Sequence, residues 1–218
     1  MRNIYERADK AIQDMNRENL KAFDALKVSR MDGLHIIQMV MQVYKKSEEL
    51  ARLKYYEIAF EVYVLTLIET GMKAKEAHAK AEEVIDYDWV DEMLEETDFI
   101  TLYRFTSEAA RKRDRLIEAL AAANGENRDA EIDKALRYWT RQVGQYCLNA
   151  ADYARIEAFE DAGIGWVQWI TQHDERVCDE CYPRDGQVYR INEVPTKHYS
   201  CRCYLVAAEA PESAEAPD

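Results

Sequence analysis

The chain has 218 residues, 48% hydrophobic and 33% charged, which is enough for one large domain with a buried core. Its formal net charge of −13 repels nucleic-acid phosphates at long range, so we expect protein partners and no direct nucleic-acid binding. No apolar run approaches the roughly 18 residues that span a bilayer, and the first residues lack a signal-peptide core, so we expect a soluble chain made in the cytoplasm.

Helical periodicity dominates residues 1–163, which we expect to form a helical domain. The predicted helices cover residues 4–28, 34–70, 73–85, 88–96, 98–123 and about 127–161. Gly71 is expected to end the second helix, because glycine adopts the left-handed conformation that follows many helices. Asp88 is expected to cap the fourth helix, and either Asn127 or Asp129 the last.

The pattern changes after Gly165, where short aromatic and β-branched runs replace the helical spacing. Strands are predicted over residues 166–171, 187–191 and 202–206, and Asp185-Gly186 predicts the turn that enters the second strand. We expect residues 164–206 to form a small separate module. Residues 207–218, built mostly of alanine, glutamate and proline, are expected to form a disordered acidic tail.

Four of the five cysteines lie near a histidine in this module, in the pattern Cys178-x2-Cys181, sixteen residues, then His198-x2-Cys201-x-Cys203. A Cys-x2-Cys turn directs two thiolates at one ion, and a second turn adds imidazole and thiolate, the ligands of structural zinc. In a reducing cytosol such clusters indicate metal binding rather than disulfides. We predict one zinc bound by Cys178, Cys181, His198 and Cys201, with Cys203 as the alternative to Cys201, or in addition to it.

The expected fold is therefore mainly α: a long-helix N-terminal domain followed by a small zinc-stabilised module that contains β-strands. We interpret Cys147, which lies among apolar helical neighbours, as a buried small hydrophobic residue. Asp174 and Arg176 are expected to pair and brace the metal loop, and His173 to lie at the surface. We interpret the one basic cluster as a solvated helix face, with contact to DNA or an acidic partner as the alternative. It consists of Arg111, Lys112, Arg113 and Arg115.

Residues 150–206 resemble the phage Mu F-like head morphogenesis family, also called minor capsid or minor head proteins. The matching string is Trp169-Ile170-Thr171, Asp174-Glu175-Arg176-Val177-Cys178, Cys181, Asp185-Gly186, Pro195 and His198-Tyr199-Ser200-Cys201-Arg202-Cys203. Residues 1–140 are similar only in being helical. One departure lies at Thr140-Arg141-Gln142, where family members often carry an Arg-Thr-Glu run, so the role of that glutamate does not transfer.

The resemblance implies a non-enzymatic component of the phage head that acts in head morphogenesis at or near the portal vertex. Its expected location is the virion, and its expected partners are the portal protein and other capsid or scaffold proteins. A zinc-bearing helical adaptor outside phages is one alternative. An HNH-type nuclease is another, since it also builds a loop on Cys-x2-Cys ligands. That enzyme needs further His or Asn ligands for a hydrated ion, and none follows Cys203.

Overall fold

Long helices account for most of the structure, a computed structural model that describes residues 2–28, 33–95, 104–123, 127–175, 177–198 and 201–211. The helices are α1 (Arg2–Val28), α2 (Gly33–Glu69), α3 (Ala74–Val84), α4 (Tyr87–Glu95), α5 (Phe105–Ala122) and α6 (Arg128–Asp161). A small three-stranded sheet follows them, which confirms the expected mainly α fold with a β-containing C-terminal module. None of the helices in the described ranges combines the length and apolarity that a bilayer crossing requires.

An aromatic core holds the helices together where α2 lies between α1, α5 and α6. The ring centroids of Tyr44 and Trp139, both fully buried, lie 5.0 Å apart in an edge-to-face arrangement, and Phe105 lies 5.9 Å from Trp139. The hydroxyl of the buried Tyr55 donates to the backbone carbonyl of Val143 at 3.0 Å. These contacts fix α6 against α2, and α6 in turn carries the C-terminal module.

The helix boundaries agree with the predicted ones to within two residues for five helices, and differ at the start of α5. That helix begins at Phe105, because Arg104 is extended, while predicted helical residues 98–103 lie outside the described ranges. Gly71 ends α2 as predicted, with a φ of 103°.

Helix capping is where the local predictions were wrong. The carboxylate of Asp86, rather than Asp88, caps α4 by accepting a 2.8 Å hydrogen bond from the Trp89 backbone. Asn127 precedes α6 but makes no side-chain cap, and Asp129 lies within the first helical turn. The negative charge of Asp129 still interacts favourably with the positive N-terminal end of the α6 dipole.

The sheet consists of β1 (Trp166–Ile170), β2 (Val188–Arg190) and β3 (Tyr204–Ala207), all antiparallel in the order β2-β1-β3. Alternate residues of β1, Val167 and Trp169, are fully buried and pack with Leu205 and with Phe159 of α6 in a second apolar cluster. The third strand begins two residues later than predicted and includes Ala207, which had been assigned to the tail. Residues 212–218 of that tail lie outside the described ranges.

Candidate metal centre

The Cys-x2-Cys segment forms a tight turn after β1. The backbone amides of Cys181 and Tyr182 both donate to the carbonyl of Cys178, at 3.1 and 3.0 Å, and this turn directs the two thiols to one side. Both thiols meet the ring of His198, whose Nε2 lies 3.0 Å from Cys178 Sγ and 3.1 Å from Cys181 Sγ. The turn therefore brings two thiols to a histidine that lies 20 positions after Cys178 and 17 positions after Cys181.

A second turn, closed by a 3.1 Å hydrogen bond from the Cys201 amide to the His198 carbonyl, supplies the remaining thiols. Cys201 Sγ lies 3.7 Å from Cys181 Sγ. The donor atoms form two groups, each within 4.8 Å: Cys178, Cys181 and His198, and Cys181, Cys201 and Cys203. All five predicted ligands thus meet, and Cys181 belongs to both groups. Cys201 and Cys203 precede β3, so the turn, and not the alternation of side chains along a strand, brings them to the cluster.

The donor chemistry and the space available fit a single metal ion. Burial raises the pKa of Cys181 to about 12, and a hydrogen bond with Cys203 together with burial raises the pKa of Cys201. Buried thiols of this kind become stable thiolates when a cation compensates their charge. A cavity of about 30 Å³ lies among Cys178, Cys181, His198 and Cys203, which is room for an ion and not for an organic cofactor. The cluster can therefore hold a metal ion.

An ion pair braces the loops on either side of the cluster. Both guanidinium NH groups of Arg202 bond the two carboxylate oxygens of Asp174, at 2.8 and 2.6 Å. Gln172 adds a 2.8 Å hydrogen bond to the backbone carbonyl of Arg202. The sequence had paired Asp174 with Arg176, which lies outside the described residues, so the brace identified in the structure is Arg202.

Two buried cations connect the module to the helical body. The ammonium group of Lys197, adjacent to His198, lies 2.6 Å from both the Asp152 carboxylate on α6 and the Cys203 carbonyl. Arg155 of α6 is 3% exposed. Its guanidinium bonds the Leu205 carbonyl of β3 and two α2 side chains, Thr66 and Glu69. The metal loop and strand β3 are thereby fixed to α6 and α2.

Sequence analysis missed the roles of Lys197 and Arg155, although one signal was present. Lysine and arginine are almost never fully buried unless they are paired. Arg155 lies in a stretch of α6 that also contains Ala151, Ala154 and Ala158, all buried, so its position on an apolar helix face was visible. Its partners were not visible, because they are 50 to 89 residues distant.

The other polar residues near the centre have surface or packing roles. His173 has a φ of 52°, is mostly exposed, and its Nδ1 lies 3.5 Å from the Asp185 carboxylate. The backbone amide of Thr171 donates to that carboxylate at 2.8 Å, and this bond holds the pKa of Asp185 below its usual value. Cys147 is fully buried on α6, and burial raises its pKa to about 12, as suits a small hydrophobic residue.

Comparisons of the chain with protein-family models, with curated proteins and with solved structures found no match in any of the three. Function is therefore inferred from the geometry of the cysteine–histidine cluster and from the residues that fix it to the helices.

Proposed function

We propose that the cluster binds one structural zinc ion through Cys178, Cys181, His198 and Cys201, with Cys203 able to replace Cys201. Two thiolates on a tetrahedral zinc, each at about 2.3 Å, lie about 3.8 Å apart. The observed Cys181–Cys201 separation of 3.7 Å supports this arrangement. Sulfur and imidazole donors favour zinc over calcium or magnesium, which take oxygen ligands. Four protein ligands close the coordination sphere, so the metal's contribution is to hold the module's loops together.

Elemental analysis tests the metal assignment. Protein purified without added metal should contain about one zinc ion per chain, from the single set of ligands. The variant Cys181→Ser should lose most of it, because Cys181 belongs to both ligand groups. The matched control is Cys147→Ser, a buried cysteine on α6 outside both groups, which should retain the zinc. A folded wild-type chain without stoichiometric metal, or equal loss in both variants, contradicts the site.

We further propose that the protein is a phage minor head component that acts by contact at or near the portal. The observation that carries this proposal is the role of the matching string in the fold. Its cysteines and histidine form the cluster, and its Asp174 and Arg202 form the ion pair beside it. The residues that resemble the family therefore form the cluster and the ion pair of the C-terminal module. This module, which we call the knob, lies at the end of the long helix α6. At 1.5 Å per residue, α2 and α6 are each about 50 Å long, which suits reaching a partner.

Two alternatives have distinct tests. A zinc-bearing adaptor outside phages predicts no portal or scaffold genes beside the gene for this chain. An HNH-type nuclease predicts nicking of plasmid DNA in magnesium, which is measured directly on the purified protein. The cluster geometry favours a non-catalytic role, because His198 contacts two thiols and the ring of His173 pairs with Asp185 at the surface.

The head assignment is tested by pull-down with the cognate portal protein and by mass spectrometry of purified heads. Wild-type protein should be present in both. Cys178→Ser should reduce incorporation, because it removes a ligand and loosens the knob, whereas Cys147→Ser reports the effect of losing a buried thiol elsewhere. Absence of well-expressed wild-type protein from both heads and portal complexes rejects the head assignment and favours the adaptor.

A further inference from the structure

A groove between α5 and α6 concentrates positive charge in a strongly acidic protein. Its volume is about 510 Å³, and Arg111, Lys112 and Arg115 of α5 face Lys134 and Tyr138 of α6 across it. Three of the four residues of the basic cluster noted in the sequence, all except Arg113, line this groove. Helix α6 packs beside these residues and forms the second wall of the groove.

Some of the cations in the groove pair with acidic side chains and others do not. Arg111 pairs with Glu108, and Lys134 with Glu131 at 3.4 Å. In the ranges that the structure covers, neither Lys112 nor Arg115 forms an ion pair. The ammonium of Lys112 lies 5.5 Å from the centre of the Tyr138 ring. Burial lowers the pKa of Lys112, and the neighbouring arginines lower it further against the opposing effect of Glu108. Like charges crowded in a half-buried position destabilise one another, and a bound anion would relieve that repulsion.

Apolar surface lies beneath these charges. Ala119 of α5 and Ala135 of α6 are partly exposed and line the groove from its two walls, above the buried Leu116 of α5. Tyr138 lies at the edge of the groove and is 50% exposed. A ligand that occupies the groove therefore meets an apolar floor, a cationic rim and one aromatic ring.

We propose that this groove binds an acidic amphipathic segment of a partner protein, whose apolar side chains face the floor and whose carboxylates pair with Lys112 and Arg115. A helix lying in a groove is a common mode of peptide recognition. Nucleic acid fits less well, because its backbone requires an extended track of cations, and Glu108 and Glu131 interrupt this one. The proposal does not depend on the metal centre or on the head assignment.

The test uses a fluorescein-labelled synthetic helix about four turns long, with leucines along one face and glutamates beside them. Fluorescence anisotropy measures its binding to the full-length protein. The comparison ligands are the same peptide with lysine in place of glutamate, and single-stranded and duplex oligonucleotides of equal charge. We expect the acidic peptide to bind more tightly than the oligonucleotides, with affinity that falls as salt is raised, whereas the attraction of the basic peptide to this acidic chain should not require Lys112 or Arg115.

Charge reversal locates the binding site. The double variant Lys112→Glu/Arg115→Glu should raise the Kd of the acidic peptide by at least about tenfold. Lys10→Glu/Lys75→Glu makes the same charge change on exposed positions of α1 and α3, and should alter the Kd by less than about twofold. Lys112→Gln/Arg115→Gln, which adds no repulsion, should be intermediate, and circular dichroism checks that each variant is folded. No binding of the acidic peptide, equal losses in both reversed variants, or tighter binding of the oligonucleotides overturns the proposal.

Discussion

The buried ion pair between Lys197 and Asp152 should be one of the most sensitive points of the fold. Both side chains are only 5% exposed, and the ammonium also donates to the Cys203 carbonyl. In Lys197→Met the buried carboxylate loses its cation and the carbonyl loses its donor. Removing one partner of a buried ion pair costs about 3–5 kcal/mol, so we expect the free energy of unfolding to fall by that amount.

Urea unfolding measures this loss. With a slope of about 2 kcal/mol per M, a loss of 3–5 kcal/mol lowers the urea midpoint by about 1.5–2.5 M. Tryptophan fluorescence is a suitable signal, because Trp166 and Trp169 lie in β1, beside the affected loop. As an exposed control, Arg17→Met breaks the Arg17–Asp14 pair and should cost less than about 1 kcal/mol.

A double variant separates the pair from general damage to the loop. Asp152→Leu/Lys197→Met replaces two buried charges with apolar side chains, and such replacements are often neutral. We expect it to be more stable than Lys197→Met, which is a coupling that a double-mutant cycle measures directly. A loss below about 1 kcal/mol for the single variant, or simple addition of the two single effects, refutes the reasoning.

Three further measurements check the centre and its turns. With chelator present, the loops that carry Cys178, Cys181, Cys201 and Cys203 should open, so these four thiols should react with a thiol reagent, while Cys147 stays protected in the core of the helical body. Gly186→Ala should destabilise the module by about 1–2 kcal/mol, since Gly186 has a φ of 76°, whereas Gly33→Ala on α2 should be near neutral. In zinc titrations, Cys201→Ser should weaken binding more than Cys203→Ser; the reverse order would assign the fourth position to Cys203.

Local features of the fold were predictable from the sequence, because their causes lie within a few residues. Cys-x2-Cys closes its own turn, so the meeting of Cys178 and Cys181 follows from their spacing. Gly71 ends α2 because no side chain opposes its backbone conformation. The capping of α4 by Asp86 was missed although it is local, since Asp86 and Asp88 are the same residue type and residue type alone does not choose between them.

Non-local features were not predictable in the same way. The bond from Arg155 to the Leu205 carbonyl joins residues 50 positions apart, and the α5–α6 groove depends on how two separate helices pack. The sequence shows that Arg155 lies on an apolar helix face. It does not show which carbonyl or carboxylate accepts a hydrogen bond from the guanidinium. The sequence pattern could therefore identify the residues that meet in the cysteine–histidine cluster, but not the residues that fix the cluster to the helical body.

A single continuous helix, α6, connects the basic groove to the C-terminal module. One end of the helix forms a wall of the basic groove through Lys134 and Tyr138, and the other end supports the module through Asp152 and Arg155. About 26 Å of helix separates Tyr138 at the groove from Arg155 at the module, so a tilt of about 5° at the groove displaces the module contacts by about 2 Å. A displacement of that size is enough to break hydrogen bonds such as the one from Arg155 to the Leu205 carbonyl.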